Sequence, residues 1–207
     1  MEDVLDLYAE PYDPRRPVVC FDEQPVQLIA ETRVPAPLRP RQAARHDYEY
    51  ERKGTANIFM RVEPLAGRRH VAVTAQRTKR DFALQMRQVV DVDYSGADRV
   101  RVVLDNLNTH GPASLYEAFA PAEARRLLRR LEFHYTPKHA SWLNMAEIEL
   151  SVLSGQCLAR RIADQQTLEQ ETAAWEARRN RERAGIHWRF TVQDARTKLA
   201  RLYPAQS

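Results

Sequence analysis

Four apolar or alternating runs in the first part of the chain predict strands. The first follows Pro17 and is apolar at every position, which is typical of a strand buried on both faces. The last two are separated by a turn signal at Gly67. The four runs are Val18–Phe21, Gln27–Val34, Ala56–Val62 and His70–Thr74.

Helical spacing is more frequent in the rest of the chain. Phe82 and Met86 recur at helical spacing within residues 79–92, and the apolar run from Val100 to Leu104 predicts another strand. Further helices are predicted over 2–9, 112–131 (divided by Pro121), 141–160, 165–182 and 191–202, with a last short strand over Leu131–Tyr135. This order predicts a mixed sheet with helices packed on its faces.

Composition narrows the class of protein. An apolar share of 43% and a charged share of 29% are ordinary for a globular domain. The two cysteines, Cys20 and Cys157, are too few for a disulfide framework and lack zinc-site spacing, so both are predicted to be small core residues. The acidic N-terminus has no signal-peptide pattern, and no apolar stretch is long enough to span a membrane. We therefore expect a cytoplasmic protein with no membrane partner.

The basic residues are mostly arginine. Only four of the 32 Lys and Arg residues are Lys. The planar guanidinium suits phosphate, which favours a nucleic-acid partner, but codon usage in a GC-rich genome would give the same bias. The proline-rich segment from Pro35 to Arg45 is predicted to be a basic loop, with Arg39, Arg41 and Arg45 as candidate phosphate contacts.

Two acids follow apolar strands directly. Asp22 comes after Val18–Phe21, and Asp105 comes after the Val100–Leu104 run. Buried carboxylates are costly, and two of them at the ends of neighbouring strands would converge into a site for Mg²⁺ or Mn²⁺. The alternative is that each acid only caps the loop after its strand.

Residues 135–153 supply the third candidate acid. Ser141 or Asn144 can cap the predicted helix, whose buried stripe contains Leu143, Ala146, Leu150, Leu153 and Cys157. Glu147 and Glu149 lie on opposite shoulders of that stripe, so periodicity does not choose between them.

These motifs together resemble those of the mariner-like DDE transposases, most closely their bacterial insertion-sequence branch. The resemblance runs from about residue 17 to residue 160 and rests on three segments in order. The family's Leu-Asn-Pro-Ile-Glu signature falls on residues 143–147, with Met145 and Ala146 in place of Pro and Ile, and this alignment selects Glu147. The three segments are Asp22, Leu104-Asp105-Asn106 with His110, and Pro137 followed by Leu143-Asn144-x-x-Glu147.

The resemblance implies a ribonuclease-H-like α/β fold with extra C-terminal helices. We expect a lead-in over residues 1–16, the catalytic domain over 17–160, and a helical extension over 161–207 packed on the same domain. It also implies metal-dependent cleavage and transfer of DNA strands at transposon ends. Two Mg²⁺ or Mn²⁺ ions would be held by Asp22, Asp105 and Glu147, with Asp22 as the bridge. The partners would be inverted-repeat ends, target DNA and a second copy of the chain.

Further residues are predicted to contact DNA. Trp142 could stack on a base, whereas Trp175 and Trp188 are predicted to anchor the core. The Arg178–Arg183 run could bind phosphate or could be a solvated helix face, and the sequence favours both interpretations equally. The predicted DNA contacts are Arg39, Arg41, Arg45, Asn106, Asn108, His110, Lys138, His139, Trp142 and Asn144.

Two other functions stay open on the sequence alone. Another ribonuclease-H-like nuclease or resolvase would share the metal chemistry with a different substrate. A truncated, catalytically silent transposase could act as a DNA-binding or dimerising regulator, since the family normally carries a helix-turn-helix region before the catalytic domain. The intact set of acids argues against the silent protein.

Overall fold

The structure is a computed structural model that describes residues 1–32 and 49–203. A five-stranded sheet in the order β3-β2-β1-β4-β5 forms its centre. The strands are β1 (Val18–Glu31), β2 (Tyr50–Glu63), β3 (Arg68–Thr74), β4 (Val100–Leu104) and β5 (Leu131–Tyr135). The α-helices are α1 (Glu2–Ala9), α2 (Lys79–Gln88), α3 (Pro112–Ala118), α4 (Pro121–Leu128), α5 (Met145–Gln156), α6 (Gln165–Glu182) and α7 (Val192–Lys198), with a π-helical turn over Val89–Asp93 and 3-10 turns over Ser141–Leu143 and Ala200–Leu202.

The central strand β1 joins two kinds of pairing. It is antiparallel to β2, which is antiparallel to β3, and it is parallel to β4, which is parallel to β5. In this register Cys20 lies opposite both Val62 of β2 and Val103 of β4. The mixed sheet predicted from the sequence is therefore confirmed.

Each face of the sheet carries its own apolar core because successive strand residues point to opposite faces. Cys20 and Val103 pack in a cluster with residues of α1, α5, α6 and α7. Phe21 and Leu104 pack in the other cluster with residues of α2, α3 and α4. The acids that follow Phe21 and Leu104 thus lie at the edge of both cores.

The prediction of separate strands over Val18–Phe21 and Gln27–Val34 is wrong. β1 is one strand of 14 residues with an irregularity between Gln27 and Ile29. The polar residues from Asp22 onward stay in the sheet because β2 continues to pair with them after the parallel ladder with β4 has ended at Cys20. Asp22 therefore lies within β1, just beyond its last parallel pair.

The helices α1 and α6 pack together in the core on one face of the sheet. Val4 and Leu7 of α1 share a core cluster with Leu168 and Trp175 of α6, and Trp175 is only 3% exposed. The helix α6 covers Gln165–Glu182, the range predicted from the sequence, and Asp164 caps it because its carboxylate accepts the Thr167 N–H at 2.8 Å.

The helix α7 begins with a capping box formed by Thr191 and Asp194. Cys20 is buried as predicted, whereas Cys157 is only half-buried. In residues 1–32 and 49–203, no helix is both long and apolar enough to cross a membrane.

Candidate active site

Three structural elements bring the predicted acids toward one end of the sheet. Asp22 lies on β1, and Asp105 is the first residue after β4, the strand next to it. Glu147 lies in the first turn of α5. The convergence expected from strand neighbours is thus built from two strands and the start of a helix.

Asp22 carries a charge that the protein does not neutralise. Burial, together with the negative charges of Glu23, Asp105 and Glu147, raises its pKa to about 7 against the lowering effect of a hydrogen bond from the Glu23 N–H. Within the described residues, no Lys or Arg forms an ion pair with Asp22 or Glu147. An external cation would relieve this repulsion.

Asn144 ties the start of α5 to β1. Its Nδ2 donates to the Phe21 carbonyl at 2.8 Å and to Asp22 Oδ2 at 3.3 Å. Its Oδ1 accepts the Ala146 N–H at 3.2 Å and so caps α5. Since Asn144 is 0% exposed, the predicted DNA contact is corrected: this side chain positions Asp22 and α5 and does not reach DNA.

Asp105 is held by its own loop. Its Oδ1 accepts the Leu107 N–H at 3.1 Å and lies 2.6 Å from His110 Nδ1. The hydrogen bond with His110 lowers the pKa of Asp105, against the effect of its partial burial. Asp105 is the more exposed partner, with 39% of its side chain accessible.

His110 is buried beneath this loop. Burial opposes its protonation, but the contacts with Asp105 and Glu23 outweigh it and raise the pKa of His110 to about 9. The ring packs against Phe21 and Phe82, with centroid separations of 5.3 and 5.0 Å. At 4% exposure it cannot touch DNA, so the DNA contact predicted for it is also corrected.

The neighbouring glutamates of α5 differ sharply. Glu149 is 1% exposed, and its oxygens bond to Arg69 Nε and Nη2 at 2.8 and 2.7 Å and to Arg179 Nη2 at 3.0 Å. Glu147 is partly exposed, and its charge acts on Asp22. The geometry favours Glu147 as the third acid because both oxygens of Glu149 are already engaged.

The chemistry of the acids suits a divalent metal ion. In the described part of the chain, no three His, Cys, Asp or Glu residues lie close enough to form a ready-made metal site. The donors around Asp22 are nevertheless carboxylate oxygens, the ligands that Mg²⁺ and Mn²⁺ prefer, and neither Asp22 nor Glu147 has a basic partner among the described residues.

The comparison with protein families decides the relationship. A family model described as DDE superfamily endonuclease matches residues 17–169. The chain belongs to this family. A search of the curated proteins gave no match.

Solved structures of the Mos1 mariner transposase share the fold of this chain. The paired-end complex with Mn has a TM-score of 0.57 at 16% identity, over 87% of this chain and 54% of that chain. The paired-end complex with the left transposon end gives 0.57 at 14% identity, over 87% and 56%. The strand transfer complex gives 0.53 at 12% identity, over 82% and 52%. The chain spans about half the length of these proteins, and the likeness shows a ribonuclease-H-like fold.

Seven of the remaining predicted DNA contacts fall into three groups. Asn108, Lys138 and His139 are exposed near the acids in the sequence, and His139 has a φ of 64°. Asn106 is exposed, but its Nδ2 donates to the Thr136 carbonyl. Arg39, Arg41 and Arg45 lie outside the described residues.

Trp142 is 42% exposed beside α5. One side of its ring stacks on Trp188, with centroids 6.0 Å apart at 20°, and Phe190 meets it edge-on at 5.5 Å. Trp188, predicted to anchor the core, is half-buried and packs in this aromatic cluster.

Two arginines of the run in α6 have partners within the protein. Arg179 bonds to Glu149 and lies 6.0 Å from the centroid of the Trp175 ring. Arg178 lies close to Gln156.

Sequence reasoning missed Glu23. Its side chain is 3% exposed, and its Oε2 lies 2.9 Å from His110 Nε2. Strand alternation was the available signal, because it places Glu23 on the opposite face of β1 from Asp22.

Proposed function

We propose that this chain is the catalytic domain of a cut-and-paste DNA transposase that cleaves and joins DNA strands at transposon ends. Membership of the DDE endonuclease family and the fold shared with the Mos1 complexes support the proposal. The observation that carries it is the group of acids Asp22, Asp105 and Glu147, in which Asp22 has a pKa of about 7 and neither Asp22 nor Glu147 has a basic partner among the described residues.

The three acids would hold two Mg²⁺ or Mn²⁺ ions, with Asp22 shared between them. When bound, such ions lower the pKa of an attacking water or DNA 3′-hydroxyl and stabilise the departing oxygen. Asp22 lies on β1, Asp105 directly follows the neighbouring strand β4, and Glu147 is held in the first turn of α5 behind its cap. The protein's own share of the rate is this positioning of charge.

Asn144 orients the shared acid in this proposal. Because its amide bonds both to Asp22 and to the backbone of β1, the carboxylate has one preferred rotamer before any cation arrives. The same side chain caps α5, so Asp22 and Glu147 are held through a single residue.

DNA would approach the exposed end of the sheet where the acids lie. Asn108, Lys138 and His139 offer polar or cationic groups there, and the accessible face of Trp142 could stack on an unpaired base. Arg39, Arg41 and Arg45 remain proposed phosphate contacts. The DNA partners would be inverted-repeat ends and target DNA of the bacterial nucleoid, and pairing two ends implies a homodimer in the active complex.

Nicking of a supercoiled plasmid tests this function. The purified chain should nick the plasmid in Mn²⁺ and stop when EDTA is added. Asp22→Asn should abolish nicking and leave the far-ultraviolet circular dichroism spectrum unchanged. A matched control is Asp91→Asn, since Asp91 pairs with Arg126 on the surface and should not affect nicking.

Equal nicking by Asp22→Asn and the unmodified chain would contradict the proposal. If the unmodified folded chain neither binds Mn²⁺ nor nicks DNA, the catalytically silent regulator becomes the better account. Cleavage of plain duplex DNA with no strand joining to a 3′-hydroxyl would instead favour another ribonuclease-H-like nuclease.

A further inference from the structure

Asp22 and Glu23 are adjacent acids with different surroundings. In a strand, neighbouring side chains point to opposite faces of the sheet. Asp22 contacts Asn144 at the start of α5, whereas Glu23 contacts His110 in the loop after β4. The second acid of the pair therefore faces the underside of the loop that carries Asp105.

His110 lies between two carboxylates. Its Nδ1 is 2.6 Å from Asp105 Oδ1, and its Nε2 is 2.9 Å from Glu23 Oε2. The contact with Glu23 is a close ion pair without good hydrogen-bond alignment, since neither atom has a hydrogen-bond partner by geometry. The other Glu23 oxygen lies 3.9 Å from Arg77, a side chain that is half exposed.

The ring of His110 has little freedom to turn. Phe21 meets it edge-on at 80°, and Phe82 packs on it at 33°. Only 1% of the His110 side chain and 3% of the Glu23 side chain are exposed. With apolar rings on two sides and a carboxylate at each nitrogen, the ring is held in one orientation against Asp105 Oδ1.

We propose that Glu23 and His110 are positioning residues that fix the Asp105 carboxylate for metal binding. Glu23 sets the ring orientation of His110 from the buried side, and the Nδ1–H of His110 holds Asp105 Oδ1, leaving Oδ2 directed outward. This inference rests on the proposed function, because it assigns Asp105 as a metal ligand. Partners of this kind around a ligand typically change metal affinity by about 10- to 100-fold when removed.

Two substitutions of His110 separate positioning from simple space filling. His110→Phe keeps an aromatic ring between Phe21 and Phe82 but removes the donor to Asp105. His110→Asn loses aromatic packing but keeps an amide N–H near the place of Nδ1. A positioning role predicts that Asn preserves Mn²⁺ binding better than Phe, whereas a filling role predicts the reverse order.

The measurement is isothermal titration of the whole, EDTA-stripped chain with Mn²⁺, with the unfolding temperature recorded for each variant. His110→Phe should weaken Mn²⁺ binding by about 10- to 100-fold, and His110→Asn should recover most of that loss despite a lower unfolding temperature. The matched control is His134→Asn, because His134 also lies between two carboxylates, Asp3 and Glu132, but on β5. It should bind Mn²⁺ as the unmodified chain does.

Native Mn²⁺ affinity in His110→Phe would overturn the inference while leaving the proposed function intact. Absence of Mn²⁺ binding in the unmodified chain would overturn both. If His110→Phe fails to fold because the Glu23 charge is left buried, the double variant Glu23→Gln with His110→Phe removes that charge. Weak Mn²⁺ binding by the folded double variant supports the proposal, and native affinity overturns it.

Discussion

Glu147 and Glu149 lie two residues apart on α5, and the protein surrounds their charges in opposite ways. Glu149 is buried with Arg69 and Arg179 on its oxygens. Glu147 has no basic partner among the described residues and acts on the buried, unpaired Asp22. A buried acid with cations from the same chain holds the fold together, whereas unpaired acids converging on one point are arranged for a cation from outside.

The two regions also differ in what they connect. The Glu149 cluster joins α5 to β3 and α6, and Asn180 of α6 adds hydrogen bonds to the backbone of Arg69. The Asp22 region joins β1, the loop after β4 and the start of α5 through Asn144 and His110. The Glu149 cluster holds α5 against β3 and α6. The Asp22 region depends on that position of α5, because Asn144 and Glu147 lie at the start of the helix.

The largest expected effect is on catalysis by Glu147→Gln. Loss of a metal ligand removes several kcal/mol of transition-state stabilisation, so Mn²⁺-dependent nicking should fall by ~10³-fold or more, equal to about 4 kcal/mol. The free energy of unfolding should change by less than about 0.5 kcal/mol, because Glu147 is partly exposed and has no basic partner to lose. Plasmid nicking rates and urea unfolding check both parts.

Glu149→Gln should produce the opposite result. It leaves the guanidinium of Arg69 buried without its charge partner, so the free energy of unfolding should fall by roughly 3 kcal/mol. Nicking per folded molecule should stay near that of the unmodified chain. Loss of nicking with unchanged stability in Glu149→Gln would contradict the assignment of Glu149 to the fold and of Glu147 to the site.

Metal addition should stabilise the protein through the unpaired acids alone. At ten times the dissociation constant, Mg²⁺ or Mn²⁺ should add about 1.4 kcal/mol to the free energy of unfolding. EDTA should reverse the gain, and Asp22→Asn should show none of it. Differential scanning calorimetry with and without metal measures this, and an equal gain in Asp22→Asn would place the ion elsewhere.

The smallest effect is a gain of stability in Asp22→Asn without metal. The substitution removes a buried charge that is repelled by Glu23, Asp105 and Glu147, while an amide oxygen can still accept from Asn144. The free energy of unfolding should rise by about 1 kcal/mol, as when strain at an active site is relieved. Urea unfolding in EDTA at pH 7 would detect it, and a destabilised variant would mean that Asp22 has a structural role.

Local sequence patterns located Asp105 well and Asp22 less well. The apolar run before Asp105 ends where β4 ends, so the acid's place after a strand was readable. The length of β1 was not, because polar residues from Asp22 onward stay in the sheet through pairing with β2, a partner about 40 positions away. The sequence predicted the order of elements, but not the ladder that decides where a strand stops.

The choice between the two glutamates needed distant contacts. Helical periodicity placed Glu147 and Glu149 on opposite shoulders of one stripe, and only the family resemblance separated them. The structure adds a physical reason, because Arg69, 80 positions earlier in the chain, donates hydrogen bonds to the carboxylate of Glu149. The burial of His110 and Asn144 was likewise hidden from the sequence, where polar residues beside an acid suggested DNA contact.

The central claim is that the unpaired acids, and not the paired one, form the metal-dependent site. Isothermal titration with Mn²⁺ of the unmodified chain, Asp22→Asn, Glu147→Gln and Glu149→Gln tests it most directly. The account predicts Mn²⁺ binding in the unmodified chain and in folded Glu149→Gln, and a loss of affinity of about tenfold or more in the other two. Unchanged affinity in Asp22→Asn and Glu147→Gln, or a loss confined to Glu149→Gln, would contradict it.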